Sequence, residues 1–202
     1  LATEETEWKL STRRRVAQTK GTGQLDMKVM EKRLSVQAKM TIETTGSPVF
    51  QHRLQLPTGF RVELVNLSQG EQELAIRTEV SEDQRLTIFL SEGIIGKQQL
   101  YVKGELFHDG TTVQIPRLEL ETGELVSRQL RIYREPEVLV QVKGLSTNEQ
   151  LQKEKLGQFQ AGYGRLVAAW EEVPLKLKGA ASEPSLSVQL NPSRLQTRAV
   201  TQ

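Results

Sequence analysis

Two histidines, His52 and His108, are the only imidazoles in the chain, so acid–base chemistry near neutral pH would centre on them. His52 lies between Phe50 and Leu54 on the apolar parity of its segment. That position fits a core-face histidine hydrogen-bonded to its surroundings better than a general base. His108 precedes Asp109-Gly110 and is expected in solvent at a turn. A His-Asp relay there would need a nucleophile, and no G-x-S-x-G elbow accompanies it. The densest carboxylates are Glu119, Glu121 and Glu124. On a strand, Glu119 and Glu121 point to one side and Leu118 and Leu120 to the other, which is the pattern of a solvated sheet face. A glycosidase pair would also need an aromatic cleft, and aromatic residues are only 5% of the chain. An enzyme would have to bring His52 or His108 together with Glu119 or Glu121, and this is the weakest of three readings.

Metal and nucleotide chemistry have less support. There is no cysteine, which removes thiol catalysis, thiolate metal sites and disulfides. Two histidines without H-E-x-x-H spacing do not make a zinc site, and three aspartates, Asp26, Asp83 and Asp109, do not make a calcium loop. Neither glycine-rich phosphate-binding pattern occurs. No cofactor and no metal are expected.

The remaining candidates are contacts. Arg13, Arg14 and Arg15 form the only basic run; charge on an edge strand also discourages pairing with another chain. Trp8 and Trp170 would stack on a glycan if exposed and plug the core if buried, the second being the commoner fate of an indole on an alternating strand. Tyr101 and Tyr163 are further stacking candidates. Asn66-Leu67-Ser68 matches a glycosylation acceptor, a triplet common by chance. The formal charge of +2 is too small to imply a nucleic-acid partner.

The elements that would carry these residues are strands. Leu34, Val36, Ala38, Met40 and Ile42 alternate with Ser35, Gln37, Lys39 and Thr41, the cleanest period-two stretch in the sequence. Thr44-Thr45-Gly46-Ser47-Pro48 is expected to end that strand. Shorter runs follow at Phe50–Leu56, Phe60–Leu64, Leu74–Ile76, Leu86–Leu90 and Leu100–Leu106, with Gly104 marking a bulge or a close backbone approach. Asp109-Gly110 is the strongest hairpin signal. Val113–Ile115, Leu125–Ile132 and Val138–Val142 complete the series. A short helix is expected over 147–156, capped by Ser146 to Glu149, and Gly179–Pro184 is a linker candidate. Pro136–Val142 echoes Pro184–Leu190, as two strands opened by proline would. No stretch reaches the ~18 apolar residues of a membrane helix.

The expected fold is all-β, an antiparallel β-sandwich over residues 1–143, followed by a smaller β-rich segment or the start of a further module over 144–202. The runs Leu54-Gln55-Leu56-Pro57-Thr58-Gly59-Phe60-Arg61-Val62 and Leu86-Thr87-Ile88-Phe89-Leu90, with the polar strand before Pro136, resemble the β-sandwich modules of large multi-domain bacterial surface and secreted proteins. That resemblance implies a non-enzymatic structural or protein-interaction role, other modules or subunits as partners, and an extracytoplasmic location. The alternative is a carbohydrate- or ligand-binding sandwich.

Overall fold

The computed structural model describes residues 16–144, 163–172 and 184–191. Twelve strands fill these residues: β1 (Gln18–Val29), β2 (Arg33–Gln55), β3 (Arg61–Gln69), β4 (Gln72–Glu73), β5 (Ile76–Val80), β6 (Arg85–Phe107), β7 (Thr112–Gln114), β8 (Glu119–Leu120), β9 (Glu124–Arg134), β10 (Val138–Lys143), β11 (Arg165–Glu172) and β12 (Ser185–Leu190). The architecture is an all-β sandwich of two open sheets. The larger has the order β11-β9-β1-β2-β6-β3-β4, with β5 beside β6 and β8 beside β2; the smaller is β10-β12-β7.

Alternation builds the core. Leu34, Val36, Ala38, Met40 and Ile42 are all buried along β2. Leu25, Met27 and Val29 of β1, Leu100 and Val102 of β6, and Leu130 and Ile132 of β9 join them from neighbouring strands. Val138, Val140, Leu186, Val188 and Val113 of the small sheet belong to the same apolar cluster. The sheet is not wholly antiparallel, because β1 and β9 pair in parallel.

β2 and β6 are each 23 residues long, or about 75 Å of strand path. The breakers around Gly46 and Pro48 therefore do not end the strand as expected. Thr44 pairs with Gly96 and Val49 with Ile94, so β2 carries the surplus residues; Gln51 then pairs with Phe89, so β6 carries the surplus next. Two opposed bulges bend the ladder without breaking it, and Gly46 takes the positive φ of 84° that the first requires. The same bend joins Leu86–Leu90 and Leu100–Leu106 into one strand. It divides the large sheet into a broad body and a narrower arm, the arm made by β8, Val49–Gln55, Arg85–Leu90 and β5.

Three other expectations change. The Asp109-Gly110 turn makes no hairpin: β7 pairs with β12, not β6. The His108 amide is tied to the Lys32 carbonyl, and its ring nitrogens lie 3.3 Å from the carbonyl oxygens of Gly110 and Met30. The chain is thereby anchored at the β1–β2 turn before it passes to the small sheet. The division at 143/144 does not separate packing units, since β11 pairs with β9 and β12 lies between β10 and β7. The two proline-led echoes are neighbours: Val138 faces Leu190, Val140 faces Val188 and Val142 faces Leu186. The helix expected over 147–156 lies outside the described residues, as does most of the linker candidate.

Gly104 is a close approach opposite a bulge. A Cβ there would meet the Arg61 carbonyl oxygen and the Phe60 ring, with Cζ at 2.6 Å. The register between β3 and β6 slips between Val62 and Leu64, directly opposite.

Candidate functional site

Of the contact candidates, Trp8 and Arg13 to Arg15 lie outside the described residues. Trp170 is 3% exposed; its indole fills the core and its N–H donates to Glu172 Oε1 at 3.4 Å, so it presents no stacking face. Tyr163 is also engaged: its hydroxyl donates to the Ser35 carbonyl, and its ring packs edge-on against Tyr133, with centroids 5.0 Å apart. Burial, foremost, raises the pKa of its phenol.

The four enzyme candidates do not converge. Glu119 pairs with Gln55 at one end of β2, whereas His108 is bonded to Lys32 beyond the other end. Glu121 is ion-paired with Arg85 at 2.8 Å, and both glutamates are exposed with Leu118 and Leu120 buried behind them. His52 is fully buried. Its Nε2 lies 2.7 Å from Gln98 Oε1, and Gln98 reaches back to Thr44 Oγ1 at 3.5 Å. This chain of three buried polar groups spans the bend, linking the two halves of β2 through β6. Nδ1 has no partner among the described residues. Burial lowers the His52 pKa, opposed by the Gln98 bond. Among the described residues, no group of three or more histidine or carboxylate side chains could hold a metal ion.

A second buried polar group closes the edge of the body. Arg128 and Glu172 face each other in register between β9 and β11, with Nη2 and Oε2 2.6 Å apart and both side chains 6% exposed. The arginine stem lies over Gly23, where a Cβ would be 3.7 Å from Arg128 Cγ. The signal was present in sequence: Arg128 shares the parity of Leu130 and Ile132, so alternation places it on the core face.

On the open face of the body a groove of about 790 Å³ crosses the large sheet. Strand register sets its polar side chains in two rows. One runs Glu171, Gln129, Gln24, Lys39, Tyr101, Asn66. The other runs Ser127, Thr22, Thr41, Gln99, Ser68, Glu73. Nine of these twelve carry uncharged amides or hydroxyls; Lys39 is the one charged side chain within the rows, and the acids Glu171 and Glu73 lie at their ends. Beside the first row, Asp26 is 3% exposed. Its Oδ2 accepts from Gln24 Nε2 at 2.7 Å, and Oδ1 is without a partner among the described residues. Burial raises the Asp26 pKa, with Gln24, Arg131 and Lys39 opposing. Next to it in register is Arg131, whose Nε and Nη2 donate to Gln129 Oε1 at 3.1 and 2.7 Å.

A separate apolar surface gathers at the bend. Phe50 is 63% exposed, and Val16 and Ile95 are also exposed. Phe50 and Pro48 lie against Gly93, where a Cβ would meet both at 2.8 Å. The bulge takes Phe50 off the core face it was expected to share with His52 and Leu54.

No protein-family model and no curated protein matches this chain. Among solved structures it is similar to an M1 zinc metallopeptidase from Deinococcus radiodurans, with 13% identity and a TM-score of 0.50. The match covers 87% of this chain and 42% of that one, so the chain spans less than half the length of the protein it matches. The likeness is one of fold: an all-β unit of this kind occurs as part of a larger chain.

Proposed function

We propose that this chain is a non-enzymatic β-module of a larger protein, one that holds or docks neighbouring modules. The exposed apolar patch at the bend carries this reading. Phe50 is held on a strand, backed by Pro48 and Gly93, and 63% exposed, while the exposed Ile95 follows Ile94, the register partner of Val49; the Phe50 ring thus gains little from the chain's own core. Large exposed apolar side chains that cluster are typical of surfaces another protein covers. The occupant in this reading is an adjacent module of the same parent chain, consistent with a fold found as less than half of a longer protein. The two long strands suit the role, because a continuous bent ladder carries force and orientation from the arm to the body. An extracytoplasmic setting, which the resemblance implies, is part of the same proposal.

The test compares thermal unfolding of these residues alone with that of the longer parent chain, each with and without Phe50→Ser. Docking predicts a higher Tm for the module in the parent chain and loss of that increment in Phe50→Ser. Equal Tm values in all four proteins would overturn it.

A further inference from the structure

We propose that the groove on the open face of the body is a binding site for a neutral oligosaccharide, held by the paired amides of Gln24 and Gln129 with Tyr101 as the stacking platform. This goes beyond the docking role, uses a different surface and does not depend on it. It also shifts the sugar-binding reading from the tryptophans to residues that the fold assembles.

An ordinary solvated sheet face presents amides free to rotate. Here two adjacent ones are oriented from below. Gln24 donates through Nε2 to the buried Asp26 carboxyl, which leaves Oε1 as an outward acceptor. Gln129, its register partner, accepts through Oε1 from both Arg131 nitrogens, which leaves Nε2 as an outward donor. Asp26 and Arg131 are themselves register partners, so one pair of charges sets the polarity of the pair beside it. A fixed acceptor next to a fixed donor matches neighbouring sugar hydroxyls, one donating and one accepting. Fixing both amides before binding removes part of the ordering cost.

The surroundings select the ligand class. Tyr101 lies in the same row, two strands from Gln24, or about 10 Å away at the usual strand spacing. A ligand that reaches both therefore has at least two rings. Thr22, Thr41, Gln99 and Asn66 line the rest and make no side-chain hydrogen bond among the described residues, so their donors and acceptors face the groove. The volume of about 790 Å³ lies within the range of about 300–1,000 Å³ typical of small-ligand sites. The apolar lining residues Met40, Leu67 and Leu100 are buried and offer none of the exposed anchors that a protein interface needs at its centre. Glu71, Glu73 and Glu171 at the ends oppose a polyanion.

The experiment is a titration of the ¹⁵N-labelled protein with hexaoses of glucose (both linkages), xylose, mannose and N-acetylglucosamine, read at the side-chain amides of Gln24 and Gln129. At least one hexaose shifts both resonances, and the backbone amides of Thr41 and Tyr101 that serve as the readout in the variants, in a saturable way at up to about 10 mM, within reach of weak recognition. Gln24→Ala and Gln129→Ala each weaken that binding about tenfold, the worth of one good hydrogen bond, while Glu92→Ala, away from the groove, leaves it unchanged. No response to any hexaose would overturn the proposal, as would a response undiminished in the Gln24→Ala/Gln129→Ala double variant.

Discussion

Glu172→Ala removes one half of a buried ion pair, and its cost follows from what remains. Arg128 is 5% exposed. Without Glu172 its guanidinium keeps one hydrogen bond among the described residues, Nη1 to the Leu118 carbonyl at a long 3.5 Å, while Nε has no partner among them even in the intact pair. A buried charge left this way typically costs about 3–5 kcal/mol. For a domain of this size about 1 kcal/mol moves Tm by 2–4 °C, so the expected fall is about 6–20 °C. Trp170 loses its acceptor as well. Thermal and urea unfolding followed by circular dichroism measure the change, with Glu171→Ala, an exposed neighbour at the groove's end, as the control that shifts little. The double variant Arg128→Met/Glu172→Leu recovers most or all of the loss, because an apolar pair of similar volume carries no desolvation penalty. A Glu172→Ala variant within about 0.5 kcal/mol of the parent, or a double variant as unstable as the single one, would refute a costly buried charge here.

Three further outcomes follow from the buried groups. The folded pKa of His52 lies below its ordinary value of 6.5 because the ring is buried. Stability is therefore full above pH 6.5 and falls as pH drops from there towards the folded value; unfolding free energies from pH 8 to 5 show this slope, and His52→Gln flattens it while keeping a partner for Gln98. Asp26 has the opposite sign: burial raises its folded pKa above 3.8, so the ionised form costs stability as pH rises. Asp26→Asn accordingly raises Tm at pH 7, and the gain disappears near pH 3, where both side chains are neutral. Gly104→Ala forces a methyl against the Arg61 carbonyl and the Phe60 ring, and costs about 1–3 kcal/mol by urea unfolding.

Alternation made most of the framework legible. The nine residues from Leu34 to Ile42 predicted one strand with one buried face, and every apolar member is in the core. What the sequence obscured was continuity. Gly46 and Pro48 look like a terminus because glycine favours a turn and proline has no N–H for the ladder, yet the partner strand bulges in its turn and pairing resumes. Asp109-Gly110 had the right residues for a hairpin, but a turn signal does not say which strand its second arm will join, and β12, more than 70 residues later, is the partner. The groove was hidden for a similar reason. Gln24, Gln129 and Tyr101 come from three strands far apart in sequence and share a row only through register. Asp26, between Leu25 and Met27, was visible by parity as a polar-face residue; its burial depends on neighbours that the pattern does not name.

A chain that docks neighbouring modules, as proposed, has the patch at its bend covered in the longer protein. These residues contain no cysteine, so Ile95→Cys introduces one thiol at the exposed bend, whose labelling in the longer chain is located by peptide mapping. Its labelling rate by a small maleimide is measured in these residues alone and in the longer chain. A drop of about tenfold or more in the longer chain is the predicted result, and equal rates in the two would contradict the account.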